Sequence, residues 1–252
     1  MSHVLITGAS SGIGSIFARE LAAQKHNLIL VARREDRLQA LATELATQHG
    51  IDTQVVAADL ASPAGVDTLV KAVAAHNWQL SGLINNAGFG ERGRFGKLAL
   101  QRQLDMIQVN ITSLVALTHQ LLPNLRQQTS SFIINVASTA AFQAGPNMAI
   151  YYATKAFVLS FSEALHEELK GKVAVSALCP GATTTEFASE ANMSDSLLFK
   201  AGTTSPEMVV KKALAKRQAA IVIPGLKNLL MVWLGKLSPR LVTRRIAWWL
   251  QK

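Results

Sequence analysis

The run Tyr151-Tyr152-Ala153-Thr154-Lys155 places a phenol one helical turn before an ammonium. On a helix this spacing stacks Tyr151 and Lys155 on one face and turns Tyr152 away from it. A free phenol, with a pKa of about 10, exchanges protons poorly at neutral pH. An ammonium about 4 Å away, at an effective dielectric near 20, favours the phenolate by roughly 4 kcal/mol and lowers that pKa by about three. The expectation is a tyrosine turned into a working acid/base group. Such pairs are common on helices, so this one gains its meaning from the rest of the chain.

His3–Thr7 reads as a short buried strand, followed by Gly8-Ala9-Ser10-Ser11-Gly12-Ile13-Gly14 and a helical pattern through Gln24. A glycine-rich turn from strand to helix lets the backbone approach a pyrophosphate, which the helix N-terminus stabilises through unpaired N–H groups and its dipole. The glycine spacing differs from the usual dinucleotide fingerprint, and glycines alone would fit a tight turn without a ligand. Further along, Leu83-Ile84-Asn85-Asn86-Ala87-Gly88 closes a second apolar run, and Ser138 ends the strand-like Phe132–Ala137, one loop before Tyr151. With Asn110 and Pro180-Gly181, these motifs in this order resemble the short-chain dehydrogenase/reductase family from Val4 to Gly225.

The resemblance implies a Rossmann-type α/β sandwich, with a seven-stranded parallel sheet in the order 3-2-1-4-5-6-7 and helices on both faces. It implies hydride transfer between a nicotinamide and the carbonyl or alcohol carbon of a hydrophobic ketone, aldehyde or secondary alcohol. Tyr151 would be the general acid/base, with Lys155 lowering its pKa and holding the nicotinamide ribose. Ser138 would hydrogen-bond the carbonyl oxygen, and Asn110 would hold a water linking Lys155 to solvent. Gly8, Ser10, Ser11, Gly12, Ile13 and Gly14 would form the phosphate turn. Asp59 and Leu60 would hold the adenine edge, and Asn86, Ala87 and Gly88 the adenosine side. Pro180, Gly181, Thr183 and Thr185 would hold the carboxamide; at position 183 the family more often has Val or Ile, but the contact there runs through the backbone. Residues 183–200 would form a lid over the substrate, and family habit gives a homodimer or homotetramer.

The cofactor is expected to be NADP(H). NAD enzymes of this fold place an acid after the second strand, where this chain has Ala32 followed by Arg33 and Arg34. Arg33 can pair with a 2′-phosphate, with Ser10 adding a donor; Arg34 reads as a solvated helix-start residue. Reduction is the favoured direction. An alcohol dehydrogenase working oxidatively and a non-catalytic cofactor-binding protein are the alternatives.

These residues need elements to position them. Strand patterns occur at His3–Thr7, Asn27–Ala32, Thr53–Ala58, Gly82–Asn85, Phe132–Ala137, Val173–Leu178 and Ala220–Ile223. Helical patterns lie between them at Gly12–Gln24, Glu35–His49, Pro63–His76, Leu100–Leu122, Tyr151–Leu169 and Pro206–Arg217. This alternation predicts a parallel sheet with helices on both faces. No linker or repeat intervenes, so residues 1–225 are expected to form one catalytic domain, with 226–252 as a helical extension of it.

Composition narrows the setting. Of the 252 residues, 49% are hydrophobic, enough for a sizeable core and against disorder. One cysteine, Cys179, excludes an intrachain disulfide and fits a reducing cytosol. The scattered histidines show no paired ligand spacing, so no metal is expected. The first strand begins almost at Met1, so no signal peptide is expected. Net charge is +9, but Lys200–Lys252 holds 11 basic residues and one acid, so the surplus sits at the C-terminal end. There Leu226, Leu229, Leu230, Trp233, Leu234 and Leu237 form one helical stripe. Beyond Pro239, Val242, Ile246, Trp249 and Leu250 form another, flanked by Arg240, Arg244, Arg245 and Lys252. The stripes suit either packing on the pocket or a second subunit, or peripheral contact with an anionic membrane. Tryptophan and leucine share one face instead of interleaving with arginines, which argues against nucleic acid.

Overall fold

The strands are β1 (Ser2–Thr7), β2 (Asn27–Ala32), β3 (Thr53–Ala57), β4 (Gln79–Asn85), β5 (Ser131–Val136), β6 (Val173–Leu178) and β7 (Ile221–Val222). They form a parallel seven-stranded sheet in the order β3-β2-β1-β4-β5-β6-β7 in the computed structural model, which describes residues 2–193, 195–200 and 202–251. The helices are α1 (Gly12–Ala23), α2 (Glu35–His49), α3 (Pro63–Ala75), α4 (Leu100–Ile107), α5 (Leu114–Leu125), α6 (Ala149–Glu168), α7 (Phe187–Glu190), α8 (Leu197–Lys200), α9 (Pro206–Ala215), α10 (Leu226–Leu237) and α11 (Arg240–Leu250).

Alternation along β1 divides the core between the two faces of the sheet. Val4 and Ile6 pack with Phe17 and Leu21 of α1, Leu38 of α2 and Val209 of α9. Leu5 points the other way, toward Leu69 of α3 and Leu117 and Leu121 of α5. Local chemistry starts and stops the helices. Ser62 and Ser205 each accept a bond from the third residue onward, Gly65 or Met208, and proline occupies the first turn of α3 and α9. Gly50, at φ +62°, ends α2 in the left-handed region.

Beyond shifts of one or two residues at element ends, such as α6 starting at Ala149 and α9 ending at Ala215, the sequence pattern and the structure differ as follows. The single helix expected over Leu100–Leu122 is interrupted by a π-helical turn at Gln108–Ser113, a local widening that hydrophobic periodicity does not reveal. β4 begins three residues early because Ser2 and His3 pair with Gln79 and Leu80. β7 retains only Ile221 and Val222, the two residues that face β6. The expected lid contains the short turns α7 and α8, with Thr183 bridged to Thr204; Ser194 lies outside the described residues.

Candidate active site

The C-terminal ends of β1, β4, β5 and β6 open onto a cleft of about 410 Å³, where ligands of open α/β sheets are received. Apart from Gly14 and Asn110, the sequence-derived site residues line this cleft. One end is the turn between β1 and α1. Gly8 and Gly12 there have φ of +65° and +55°, a region that L side chains rarely adopt. Gly14 stands behind the turn: a Cβ on it would lie 2.2 Å from the Gly8 carbonyl oxygen, so its role is close helix–strand packing. Ser11, the N-cap of α1, makes no side-chain capping bond, and the first turn holds no acid. The N–H groups at this helix start therefore remain available to an anion, and this end of the cleft fits a dinucleotide pyrophosphate.

At the end of β2, Arg34 is not the solvated residue its position suggests. Its guanidinium donates to Ser11 Oγ at 2.8 Å and to Ser10 Oγ at 3.2 Å, and pairs with Glu186 at 3.1 Å. Arg37 pairs with the other oxygen of Glu186 at 2.9 Å. Hydrogen bonds from Arg37 and Arg34 hold the Glu186 carboxyl below its usual range. Arg33 lines the same part of the cleft and is exposed.

Deeper in, α6 carries Tyr151 and Lys155, and the turn after β5 carries Ser138. Ser138 Oγ accepts from the Ala140 N–H at 3.1 Å, and its side chain hydrogen-bonds the Tyr151 phenol. Lys155 Nζ donates to the Val136 carbonyl at 2.7 Å and lies 5.8 Å from the centre of the Tyr151 ring. The expected lowering of the phenol's pKa is not found. Burial raises it, outweighing the hydrogen bond from Ser138, because a phenolate here would lack water. Burial also lowers the Lys155 ammonium to about 8. Both shifts favour neutral forms, so near neutral pH Tyr151 is a protonated donor.

Asn110 is buried and stands beside the cleft without lining it. Its Nδ2 donates to Phe89 O and to Thr154 Oγ1, each at 3.0 Å, while Oδ1 accepts from the Phe89 N–H at 3.1 Å. The side chain ties the loop after β4 to α6, and its amide hydrogens are engaged by protein. A Cβ on Gly88 would come within 2.9 Å of Asn110 Oδ1 and 3.4 Å of Lys155 Nζ, so glycine lets the loop pass close to both.

Several contributors were missed in sequence. Tyr152, expected to turn away, lines the cleft too, and Gln251 Nε2 donates to its hydroxyl at 2.7 Å. Phe142, Met148, Phe187, Met193 and Phe199 form an apolar wall, completed by Met231, Val232 and Leu250 from α10 and α11. No local motif marks these residues individually, because they converge from loops and C-terminal helices, although Phe187, Met193 and Phe199 fall within the segment 183–200 expected to cover the substrate. Only the apolar content of 226–252 pointed to that segment.

Residues 2–196 match the family model described as short chain dehydrogenase. Over 210 residues, covering 83% of this chain and 64% of the relative, the sequence is 34% identical to 11-beta-hydroxysteroid dehydrogenase-like 4A of Arabidopsis thaliana. The chain thus spans somewhat under two thirds of that curated relative. A short-chain dehydrogenase from Sphingobium yanoikuyae, solved in complex with NADPH, superposes with a TM-score of 0.82 at 35% identity, covering 90% of this chain and 89% of that one. A 7beta-hydroxysteroid dehydrogenase superposes with a TM-score of 0.88 at 27% identity, covering 98% and 96%.

Proposed function

Because the chain belongs to the short-chain dehydrogenase family, we propose that it is an NADPH-dependent reductase of hydrophobic ketones or aldehydes. One observation carries this reading: Tyr151, Ser138 and Lys155 share a cleft with an uncapped glycine turn at one end and an apolar wall at the other. NADPH, when bound, supplies a hydride to the carbonyl carbon. The chain's own groups handle the charge that develops on oxygen. Ser138 hydrogen-bonds that oxygen and Tyr151 gives it a proton. Lys155, one turn away, offsets the negative charge left on the phenol. An oxidative alcohol dehydrogenase would use the same residues in reverse; reduction is the proposed direction because the cellular NADP pool is usually reduced.

The cofactor choice is supported by Ala32 in place of an acid, and by Arg33 and Arg34 where a 2′-phosphate would lie. Gly8 to Ile13 would receive the pyrophosphate, with Gly14 behind them. Asp59, Leu60 and Asn86 to Gly88 would hold the adenosine, and Pro180, Gly181, Thr183 and Thr185 the carboxamide. The apolar wall suits a greasy substrate, in keeping with the hydroxysteroid dehydrogenases among the similar proteins. We further propose one catalytic unit of residues 1–225 with 226–252 attached, acting in the cytoplasm as a homodimer or homotetramer. Exposed Leu100, Leu104 and Phe157 on α4 and α6 offer apolar surface for a second copy. The test follows nicotinamide absorbance with a panel of lipophilic carbonyls. Tyr151→Phe is expected to lower turnover by about 10²–10⁴ while leaving NADPH binding intact. Tight NADPH binding without turnover on any carbonyl would instead indicate a cofactor-binding protein.

A further inference from the structure

The apolar stripes of α10 and α11 face away from the body of the protein. Leu226 is 82% exposed, Leu230 58%, Trp233 57% and Leu237 79%, while Asn228 and Val232 are buried on the opposite side of α10. α11 repeats the arrangement. Val242, Ile246 and Trp249 are exposed, whereas Ala247 and the adjoining Gln251 are buried. A surface helix of a globular protein normally turns its apolar face inward, and a contiguous exposed apolar surface of this kind marks an interaction site.

Three observations identify the partner. Lys227, Lys236, Arg240, Arg244 and Arg245 are all exposed around the stripe, and no acid follows Glu207 in the chain. A second copy docked by this face would set those cations against their own equivalents, whereas an anionic surface complements them. Among the described residues no helix is long and apolar enough to cross a membrane, so these short helices suit lying in the interface. Three of the four tryptophans lie here, a residue that favours the headgroup level. The face also meets the cleft: Met231 is 43% exposed and lines it, and Leu250 lines it from α11.

We infer that α10 and α11 dock flat on an anionic lipid bilayer and bring the rim of the cleft to its surface, so that the substrate enters from the lipid. The entry step rests on the carbonyl-reductase reading; the docking does not.

The test is co-sedimentation of the full chain with phosphatidylcholine vesicles, with and without phosphatidylglycerol, at low and high salt. Binding should require phosphatidylglycerol and weaken with salt. Leu230→Glu with Ile246→Glu should weaken it roughly 100-fold, since each removes an exposed aliphatic anchor that the bilayer would bury. Arg240→Gln with Arg244→Gln and Arg245→Gln leaves the apolar stripe untouched and should remove the phosphatidylglycerol requirement and most of the affinity. All five positions lie on exposed surface outside the cleft lining, so consumption of NADPH with a water-soluble ketone should stay unchanged in both variants. Consumption with a vesicle-dissolved ketone should fall. Equal binding of parent and variants, or no binding of the parent, overturns the docking. So does a parent oligomer that the glutamate variant dissociates without any vesicle binding, which assigns the face to a second copy. Docking without turnover on any ketone keeps the docking and refutes the reductase reading.

Discussion

Glu186 holds a carboxylate against Arg34, one of the two arginines proposed to meet a 2′-phosphate. It accepts from Arg34 at 3.1 Å and from Arg37 at 2.9 Å, and Arg34 is also held by Ser10 and Ser11 in the phosphate turn. If NADPH places its 2′-phosphate on Arg34, it must compete with this carboxylate. Glu186→Gln removes the competing charge and keeps the side chain's shape. The Glu186 side chain is 46% exposed, so each pair is worth only about 0.2–1 kcal/mol after screening. Relief of about 1 kcal/mol corresponds to roughly fivefold tighter binding. The assay is calorimetric titration with 2′,5′-ADP and with 5′-AMP, at low and high ionic strength. The variant should bind 2′,5′-ADP roughly fivefold more tightly, leave 5′-AMP unchanged, and lose most of the gain at high salt. An equal gain for both nucleotides, or weaker 2′,5′-ADP binding, would refute the reasoning and place the phosphate away from Arg34.

Two further outcomes follow from buried groups and close packing. The pKa of Lys155 is lowered to about 8 from 10.5 by burial, so between these values the unfolded state binds more protons and folding stability from this group rises with pH. Cys179, pushed up to about 12 from 9.0 by burial, acts in the opposite sense above pH 9, which leaves pH 8–9 as the clean window. Across that window Lys155→Met should lose about 1 kcal/mol of the parent's rise in unfolding free energy, read by urea titration at each pH; matching slopes would contradict the assignment. Gly14→Ala would set a Cβ 2.2 Å from Gly8 O and 2.6 Å from Asn86 Nδ2. Displacing α1 from β1 should cost about 1–3 kcal/mol and weaken cofactor binding as well, whereas a variant as stable as the parent would show the close approach to be dispensable.

Much of the fold was legible because its instructions are local. Apolar runs punctuated by glycine, proline and serine caps predicted the seven strands and most helices within a few residues. The parallel sheet follows from their alternation, and its strand order was implied by the family resemblance. The π-helical turn at Gln108–Ser113 escaped detection because an extra residue in one turn hardly alters the hydrophobic period. The early start of β4 did too, since Gln79 takes its strand geometry from pairing with Ser2 of β1 and not from apolarity.

The site divides along the same physical line. The Tyr151/Lys155 pair and the glycine turn could be picked out from spacing, because a helical turn or a strand-to-helix junction sets their geometry within a few residues, while their roles and that of Ser138 were implied by the family resemblance. Tertiary structure decided how those groups behave. Burial, which depends on what packs over α6 from distant segments, raises the Tyr151 phenol where proximity to Lys155 suggested the reverse. The pairing of Arg34 with Glu186 joins residues far apart in the chain, and Gln251 reaches Tyr152 across nearly a hundred positions. The sequence by itself determined that the C-terminal helices carry apolar stripes among cations. Which way the stripes point was set only by the body of the fold, which had room for Asn228, Val232 and Ala247 and left leucine and tryptophan outside. Periodicity specifies a face, and only packing against the rest of the chain gives that face a direction.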